Sequence, residues 1–428
     1  MKLELGKIEI EDINFGEQTE IKDNVLYINK EELLENIDGE EDVKSIEIDL
    51  VKPGDSVRII PVKDVIEPRV KVEGPGGVFP GFISGEEMVG SGRTLALKGC
   101  AVVTTGNIVG FQEGIIDMTG PGADYTPFSQ FNNIVINCEV KDDVQQHEHE
   151  ELVRMIGLNA ATYLAEAGKD VKPDSVEEFE HKPLYEADNQ YPDLPKVGYV
   201  YMLQSQGLLH DTYVYGVDAK EIIPTLISPT EIMDGAIISG NCVSACDKNA
   251  TYIHQNNPVI KDLYERHGKD FNFMGIIITN ENVTLADKER SSNYTAKLAE
   301  QMGLDAAIVS EEGFGNPDAD LIMNCTKLEE KGIKTVLITD EYAGRDGSSQ
   351  SLADADPRAD AVVTAGNANE VITLPALDKT IGYQQTANVI AGGYDGNIAD
   401  DGSITVEIQA ITGSTNELGF NKLTARGY

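Results

Sequence analysis

The chain is poor in basic residues and in long apolar runs, and each shortage excludes a class of partner. Its 428 residues include 34 Lys and Arg against 73 Asp and Glu, which gives a formal net charge of −39. Such a protein repels nucleic-acid phosphates and anionic membrane surfaces. No apolar run approaches the roughly 18 residues that cross a bilayer, and the first residues lack the pattern of a signal peptide. We therefore predict no nucleic-acid partner, no membrane association and a cytoplasmic location.

Cysteine is also scarce. Five cysteines, an odd number in a long chain, do not make a disulfide framework, so we predict reduced thiols. Three residues separate Cys242 from Cys246, whereas most structural zinc sites use two, and the sequence contains no CxxC. His147 and His149 stand among glutamates at the start of a helical pattern, which favours a solvated face over a metal site. We predict no bound metal.

The first third of the chain has the pattern of a β-rich lobe. Residues 1 to about 70 alternate short apolar runs with charged and turn residues, as in KLELGKIEIEDI and SVRIIPV. This alternation is typical of half-buried antiparallel strands. Residues 72–129 are dense in glycine and proline, which indicates special backbone angles and close backbone approach, in functional loops or in tight turns.

The rest of the chain alternates helices and strands. Residues 149–168 have helical spacing, and the apolar runs VGYVYML, FMGIIITN, DAAIVSE, KTVLITDE and ADAVVTAG follow, the last four interleaved with helical segments. This predicts an α/β fold: a β-rich N-terminal lobe with Gly/Pro-rich loops, followed by a doubly wound, mostly parallel C-terminal sheet. We divide the chain into a β-rich domain 1–145, an α/β segment 146–241 and the doubly wound domain 242–428.

Ligands of such sheets bind beyond the carboxyl ends of the strands. Polar residues occupy that position in this sequence: Thr279, Asn280, Glu311, Glu312, Asp340 and Glu341. The glycine-rich stretches VGSGRT and EEGFGNPD complete neither GxGxxG nor a Walker motif, so we predict no dinucleotide site.

The most distinctive stretch is ISGNCVSACDKNATYIHQ, residues 238–255, a polar turn after an apolar run. Buried structural cysteine is the common fate of this residue type. Cys242, however, follows the flexible pair Gly240 and Asn241. If the turn strains the Asn241–Cys242 peptide, the Cys242 thiolate can attack the Asn241 carbonyl and move the acyl group from nitrogen to sulfur.

The resulting thioester has two outcomes. Loss of the Cys242 α-proton would expel the thioacid and leave dehydroalanine, which tautomerises to an imine and hydrolyses to a pyruvoyl group. Hydrolysis of the thioester would instead leave a free N-terminal cysteine, as in N-terminal nucleophile hydrolases. The residues alone do not choose between these outcomes.

Several long motifs carry a family resemblance. They are KLELGKIEIEDINFG at the start, SVRIIPVKDVIEPRVKVEGPGGVFPG, VGSGRT, IVGFQEGIIDMTGPGADYTPFS, and Asn241-Cys242. Along essentially its whole length the chain resembles the component B proprotein of the glycine/sarcosine/betaine reductases. The resemblance implies self-cleavage before Cys242 into subunits 1–241 and 242–428 that stay together, with a pyruvoyl group at Cys242 as the cofactor.

The resemblance also implies partners. A selenocysteine-containing subunit of component B takes the carboxymethyl group from the substrate, selenoprotein A receives it, and component C converts it with phosphate to acetyl phosphate, with thioredoxin as reductant. The printed chain contains no selenocysteine, so we expect it to act within a hetero-oligomer. A pyruvoyl carbonyl condenses with a primary amine and withdraws electrons from its carbon–nitrogen bond.

The small amino-acid substrate is expected to be glycine, which the motif GPGGVFPG favours over sarcosine or betaine. Arg69 and Arg93 are the candidates for holding its carboxylate, because guanidinium binds carboxylate in a bidentate fork. Either arginine is equally suited to a structural ion pair. Glu113 and Asp117 are candidates for orienting the ammonium or acting as base, although loop hydrogen bonding is the favoured interpretation of both.

Two other classes of function remain open on the sequence. An autoprocessed hydrolase with Cys242 as N-terminal nucleophile would carry a free amine at residue 242. A non-catalytic scaffold for a selenoprotein subunit would keep the chain whole, and it would work without Cys242.

Overall fold

A computed structural model describes residues 1–37, 41–207, 209, 211–240 and 244–418. The N-terminal third of the chain is built mainly from strands: β1 Lys2–Glu9, β2 Asp12–Phe15, β3 Glu20–Lys22, β4 Val25–Ile28, β5 Val43–Val51, β6 Val57–Ile66, β7 Arg69–Glu73, β8 Gly92–Lys98, β9 Cys100–Gly106, β10 Gly114–Asp117 and β11 Asn132–Val140, with helix α1 Lys30–Ile37 after β4.

The middle of the chain alternates helices with short strands: α2 Gln146–Glu166, β12 Ser175–Glu180, α3 Leu184–Gln190, β13 Lys196–Leu203, β14 Thr212–Val214, β15 Val217–Asp218, β16 Thr225–Ile227, α4 Pro229–Met233 and β17 Ile237–Ser239. The last part contains α5 Thr251–Gln255, α6 Pro258–Arg266, β18 Asn272–Asn280, α7 Leu285–Gln301, β19 Ala306–Ser310, α8 Asn316–Glu330, β20 Lys334–Glu341, β21 Val362–Asn367, β22 Val371–Leu374, β23 Lys379–Gly382 and β24 Ile404–Glu407.

The N-terminal strands form a small sheet, β2-β4-β3, and two larger sheets with a shared helical cover. One of the larger sheets has the order β12-β1-β8-β7, and the other has the order β10-β6-β9-β11-β5 with β23 added beside β6. Helix α2 packs on β7 and β9 through its apolar face. Every residue of β6 is buried, as expected of a strand covered on both faces. The first third of the chain is rich in strands, but β12 and β23 from outside it complete these sheets, so a separate β-rich lobe stays a prediction.

The glycine-rich segment between β7 and β8 has the predicted special geometry. Gly90 has a φ of 91°, and a Cβ there would lie 2.7 Å from the backbone nitrogen of Glu231. Gly92 has a φ of 83°, and its Cβ would meet the carbonyl of Glu73 at 2.1 Å. Side chains would clash at both positions, so glycine is required there for close backbone approach.

The largely parallel sheet of the second half has the strand order β16-β18-β13-β19-β20-β21. Only β16 runs antiparallel to its neighbour, and the other pairings are parallel. Apolar runs such as FMGIIIT in β18 are buried throughout, because a parallel sheet is covered on both faces. The mixed α/β class is confirmed, whereas the doubly wound layout stays a prediction.

Two sheets join strands from both sides of residue 241. Strand β13 lies between β18 and β19, and β23 pairs with β6 in parallel register. The division at 145 and 241 stays a prediction about domains, but the segments on either side of 241 share these sheets. No helix among the described residues is long and apolar enough to cross a membrane.

Candidate functional site

The candidate site lies at the carboxyl edge of the parallel sheet. Across the sheet the parallel strands stand in the order β18, β13, β19, β20, β21. The first of them in the chain, β13, therefore lies between the second, β18, and the third, β19. Chain connections therefore diverge between β13 and β19, which is where open α/β sheets form a ligand crevice. Gln204 follows β13 there, and Glu311 and Glu312 follow β19.

Three glutamates at this edge are fully buried. Glu312 accepts hydrogen bonds from the backbone N–H groups of Gln204 (3.1 Å) and Asn249 (3.2 Å). Glu281 accepts one from the backbone N–H of Glu312 at 2.9 Å, and Glu311 accepts one from the Thr339 hydroxyl at 2.6 Å. Burial raises the pKa of Glu312 to about 8 and the pKa values of Glu281 and Glu311 well above their usual range. The predicted ligand edge therefore holds carboxyl groups that resist ionisation.

The predicted cleavage residues Asn241 and Cys242 lie outside the described part of the chain, but both flanks are described. On the upstream side, β17 ends at Ser239, whose N–H donates to the Thr251 hydroxyl at 3.0 Å. The N–H of Gly240 donates to the Asp211 carbonyl at 2.5 Å. Gly240 is buried, so the chain reaches residues 241–243, hereafter the cleavage segment, from inside the protein.

The downstream flank is buried too and is held by residues near the end of the described chain. Ser244 is 7% exposed. The Ala245 carbonyl accepts from the N–H of Gly413 at 2.7 Å, and the Cys246 carbonyl accepts from Thr415 at 3.2 Å. The Asn416 amide donates to the carbonyl of Lys248 at 3.1 Å. This segment is therefore fixed by backbone hydrogen bonds just after the proposed cut.

A second acidic group lies beside that flank. Asp247, Asp340 and Glu417 are each at most 1% exposed. Burial raises the pKa of Asp247 to about 7, and burial together with the neighbouring carboxylates raises those of Asp340 and Glu417 well above the ordinary range. The Cys246 thiol lies 3.4 Å from Oδ1 of Asp247 and 3.0 Å from the Tyr342 hydroxyl.

His254, in helix α5, is a fully buried neutral base. Its Nδ1 is 2.6 Å from the Tyr201 hydroxyl, and its Nε2 has no hydrogen-bond partner among the described residues. Burial, aided by the Lys248 ammonium, lowers the pKa of His254 to about 3. The sequence places His254 in the distinctive 238–255 stretch, but nothing in the sequence indicates complete burial.

A cavity of about 450 Å³ opens next to the acidic group. Its lining includes Tyr125, Glu341, Arg345, Glu370 and Thr415. Arg345 is 57% exposed at its side chain, and its Nε donates to Glu407 at 2.7 Å. Thr415 links the cavity to the acidic group because its hydroxyl donates to Oδ2 of Asp340 at 3.1 Å. The cavity therefore offers a guanidinium near carboxyl groups.

Arg345 was not predicted from the sequence. The signal was available, since YAGRDG directly follows the strand that ends at Glu341, on the predicted ligand edge.

The two arginines singled out from the sequence lie elsewhere, and each has a carboxylate of its own. Arg69 is 1% exposed, and its guanidinium contacts Glu67 at 2.6 Å and donates to the Gln255 carbonyl at 3.0 Å. Burial opposes ionisation of Glu67, but the charges of Lys98 and Arg69 outweigh it and lower the Glu67 pKa to about 2. A substrate carboxylate would have to displace that partner.

Arg93 pairs with Glu4 at 2.6 Å on an exposed part of the N-terminal sheet. A role in substrate binding stays a prediction for both arginines.

Glu113 and Asp117 are paired with buried basic side chains, and a role for either in orienting the ammonium or as a base stays a prediction. Asp117 makes a bidentate contact with Arg58, at 2.6 and 2.7 Å, and Glu113 pairs with Lys63. Glu113 is nevertheless close to the cleavage segment. A Cβ added to the next residue, Gly114, would lie 2.5 Å from the Cβ of Ala245.

His147 and His149 differ in their exposure to solvent. His147 is exposed, as predicted, whereas the prediction of a solvated face is wrong for His149, which is 6% exposed because it turns toward the core-facing side of α2. Burial lowers the pKa of His149 to about 4. The described cysteines, Cys100, Cys138, Cys246 and Cys325, are free thiols, as expected.

Fold and site together define a mixed α/β protein with a buried polar crevice at the switch point of a largely parallel sheet. Residues 1–426 match the family of glycine/sarcosine/betaine reductase component B subunits, and the chain belongs to that family.

Three relatives align with the chain over the full length of both sequences. It is 67% identical to the glycine reductase complex component B subunits alpha and beta of Acetoanaerobium sticklandii and 65% identical to those of Peptoclostridium acidaminophilum. It is 58% identical to the sarcosine reductase complex component B subunit alpha of Peptoclostridium acidaminophilum. No solved structure matches the chain significantly.

The first prediction separates structural from surface arginines. Arg69→Met leaves Glu67 buried with one cationic partner fewer, so we expect the free energy of unfolding to fall by about 3–5 kcal/mol. Arg93→Ala is the control, because its ion pair is solvent-screened, and its urea midpoint should stay close to that of the wild type. Equal midpoints for the two variants would contradict the assignment of Arg69 to the core.

The second prediction concerns how the free energy of unfolding depends on pH. His254 is neutral when folded, down to a pKa of about 3, but protonates near 6.5 when unfolded, so the unfolded state binds more protons in between. The stability that His254 contributes is therefore lost as the pH falls below 6.5, by roughly 2 kcal/mol on reaching about pH 5. Buried carboxyl groups with raised pKa values act in the opposite sense. His254→Gln should flatten this slope in urea titrations at several pH values, whereas His147→Gln, at an exposed position, should not. An unchanged slope in His254→Gln would show that other groups cause the acid sensitivity.

Proposed function

We propose that the chain is the self-cleaving proprotein of the two pyruvoyl-type subunits of component B of glycine reductase. It would bind glycine and, with selenoprotein partners, take part in its reductive deamination to acetyl phosphate and ammonia in the cytoplasm. The observation that carries the proposal is the 67% identity, over the full length of both chains, to a protein named as component B subunits alpha and beta of the glycine reductase complex.

Self-cleavage is supported by the burial of both flanks of the Asn241–Cys242 bond. Gly240 and Ser244 lie in the interior, where a separate protease could not bind an extended peptide without unfolding the segment. Intramolecular attack by Cys242 needs no such access. The backbone hydrogen bonds to Gly240, Ala245 and Cys246 would hold the segment in one conformation while the thiolate attacks.

The proposed cleavage requires no reactant other than the chain itself and water. The Cys242 sulfur bonds to the Asn241 carbonyl carbon as the peptide C–N bond breaks. A base then removes the Cys242 α-proton as the Cβ–S bond breaks, which releases a thioacid at the C-terminus of the first fragment. Hydrolysis of the remaining imine releases ammonia and leaves the carbonyl. The Asp247 carboxyl, whose pKa burial raises to about 7, lies beside this segment and could accept a proton, whereas the low pKa of His254, about 3, makes that side chain a weak base.

The two products would remain together because they share sheets. Strand β13 of the first product is hydrogen-bonded on both edges to strands of the second, β18 and β19. Strand β23 of the second product is paired with β6 of the first. Separating them would expose the buried edges of a parallel sheet, which is costly in water.

The cavity beside the acidic group is the proposed substrate site. Arg345 would bind the carboxylate of glycine through its guanidinium nitrogens other than the Nε that donates to Glu407, and it replaces Arg69 and Arg93 as our candidate because it lines a cavity at the ligand edge. Glu341 and Glu370 on the same wall suit the amino group. When formed, the pyruvoyl carbonyl would condense with a primary amine and withdraw electrons from its carbon–nitrogen bond.

Reduction would require partners. The proposed ones are a selenocysteine-containing subunit of component B and selenoprotein A, with component C and thioredoxin completing the cycle, so the working form would be a hetero-oligomer. The names of the relatives describe subunits of a complex, which supports this.

The third prediction tests processing. Denaturing electrophoresis of the mature protein should give fragments 1–241 and 242–428 that elute together under native conditions. The second fragment should be blocked to N-terminal sequencing. Cys242→Ala should abolish cleavage, whereas Cys246→Ala should permit it, because only Cys242 follows Gly240 and Asn241.

The opposite outcomes discriminate between functions. A free cysteine at residue 242 would favour the hydrolase. An intact chain that supports full complex activity would favour the scaffold. Equal loss of cleavage in both cysteine variants would contradict the assignment of Cys242 as the nucleophile.

The fourth prediction tests substrate binding. Borohydride added with glycine should attach glycine covalently at residue 242, as measured by the mass of the 242–428 fragment, while betaine should not label, because its nitrogen has neither a proton nor a lone pair. Arg345→Ala should weaken glycine labelling by about 1.5–3 kcal/mol, which is roughly 10–150-fold, for a lost charge-assisted hydrogen bond. Arg93→Ala is the control and should label normally.

A loss in Arg93→Ala alone would return carboxylate binding to Arg93. Full turnover of glycine without any trapped adduct, although borohydride does reduce the carbonyl, would contradict a covalent role for the pyruvoyl group.

A further inference from the structure

We propose that Cys246, Asp247 and Asp340 bind a divalent transition-metal ion, most suitably zinc, directly beside the cleavage segment. This site departs from the sequence-based expectation of no metal. Among the described residues these three are the group of thiol, imidazole or carboxylate donors that is close enough to share an ion.

The distances between the donor atoms suit such an ion. One donor atom from each residue lies within 4.8 Å of the other two. A tetrahedral zinc ion with ligand bonds near 2.0–2.3 Å holds its ligand atoms roughly 3.3–3.8 Å apart. The Cys246 sulfur and Oδ1 of Asp247 are already 3.4 Å apart. An adjustment on the order of 1 Å by the Asp340 carboxylate would therefore complete a three-ligand set.

Unpartnered oxygen atoms give an independent reason for a ligand at this position. Oδ2 of Asp247 and Oδ1 of Asp340 are buried and have no hydrogen-bond partner among the described residues. The two residues are 0% and 1% exposed, and Cys246 is 0% exposed. Buried polar atoms are rarely left unpaired, because their lost hydration is not replaced. A cation between these residues would give Oδ1 of Asp340 and the Asp247 carboxylate a partner, and it would also offset the charges of the two carboxylates.

The surrounding contacts already orient the three side chains. The Thr415 hydroxyl donates to Oδ2 of Asp340 at 3.1 Å, which leaves the other oxygen of that carboxylate for the ion. The Tyr342 hydroxyl lies 3.0 Å from the Cys246 sulfur. The backbone carbonyl of Cys246 is held by the N–H of Thr415 at 3.2 Å. Supporting hydrogen bonds of this kind fix metal ligands and raise metal affinity.

The donor set selects the class of ion. A thiolate ligand disfavours Ca²⁺ and Mg²⁺, which take oxygen ligands, and favours zinc or a related transition metal. Three protein ligands leave a fourth position for water or for a ligand group. All three residues lie after residue 241, so the ion would tie the start of the 242–428 segment to the end of β20 whether or not the chain is cut.

The test measures zinc in the full chain and in the uncleaved Cys242→Ala chain by mass spectrometry of the metal, after loading with zinc and removal of weakly bound metal by chelator. We expect about one zinc ion per chain in both forms. Cys246→Ser and Asp340→Asn should lower the occupancy at least tenfold. Thr415→Val, which removes only the hydrogen bond to Asp340, should weaken zinc binding by roughly 10–100-fold. Cys325→Ser is the matched control, since Cys325 is also a buried free thiol that contacts a hydroxyl.

A second measurement does not depend on the variants folding. An anomalous difference map from crystals of the zinc-loaded wild type should place the ion among Cys246, Asp247 and Asp340. Wild-type protein that holds no zinc after loading would overturn the proposal, as would zinc that persists in folded Cys246→Ser and Asp340→Asn, or an ion located elsewhere. Zinc binding in the uncleaved chain would stand even if the proposed function failed, so the two failures are distinguishable.

Discussion

The pairing of β13 on both of its edges is the interaction on which the rest of this structure depends. Its parallel register with β18 runs from Lys196 to Leu203, and its register with β19 runs from Val197 to Tyr201. A central strand of a parallel sheet is buried on both faces and bonded on both sides, so its position is strongly specified. Because β13 ends at Leu203, its carboxyl end sets where Gln204 meets Glu312 and where the polar crevice begins.

Burial of acidic groups is the second constraint, and it follows from the first. Acidic residues directly follow β18 and β19 and end β20 at one edge of the sheet, and the segments 244–249 and 413–417 contact this edge. Carboxyl groups enclosed in this way are costly to ionise, which is why the pKa values of Glu312 and Asp247 are raised to about 8 and about 7. Groups that exchange protons near neutrality are suited to acid–base work beside a reactive backbone segment.

Periodicity predicted the parts of the structure that depend on local pattern. Buried apolar runs identified β13, β18, β19, β20 and β21, and the rule for strand ends located the acidic edge. Long-range pairing was beyond that reasoning. Nothing in the sequence near Arg69 indicates that Gln255 accepts from it, and Cys246 and Asp340 are brought together only by the tertiary fold. Asn241 and Cys242 were singled out by local chemistry and family resemblance, which do not require the fold.

The topology requires the chain to fold before the proposed cut is made. The residues that hold the cleavage segment come from both sides of it: Asp211 contacts Gly240, and Gly413 and Thr415 contact Ala245 and Cys246. These contacts join segments that are far apart in the chain, so the chain must fold before the segment is held for attack. While the chain is continuous, its two halves are at high effective concentration, which favours insertion of β13. A cut made after folding removes this covalent link but leaves every strand pairing of β13 in place.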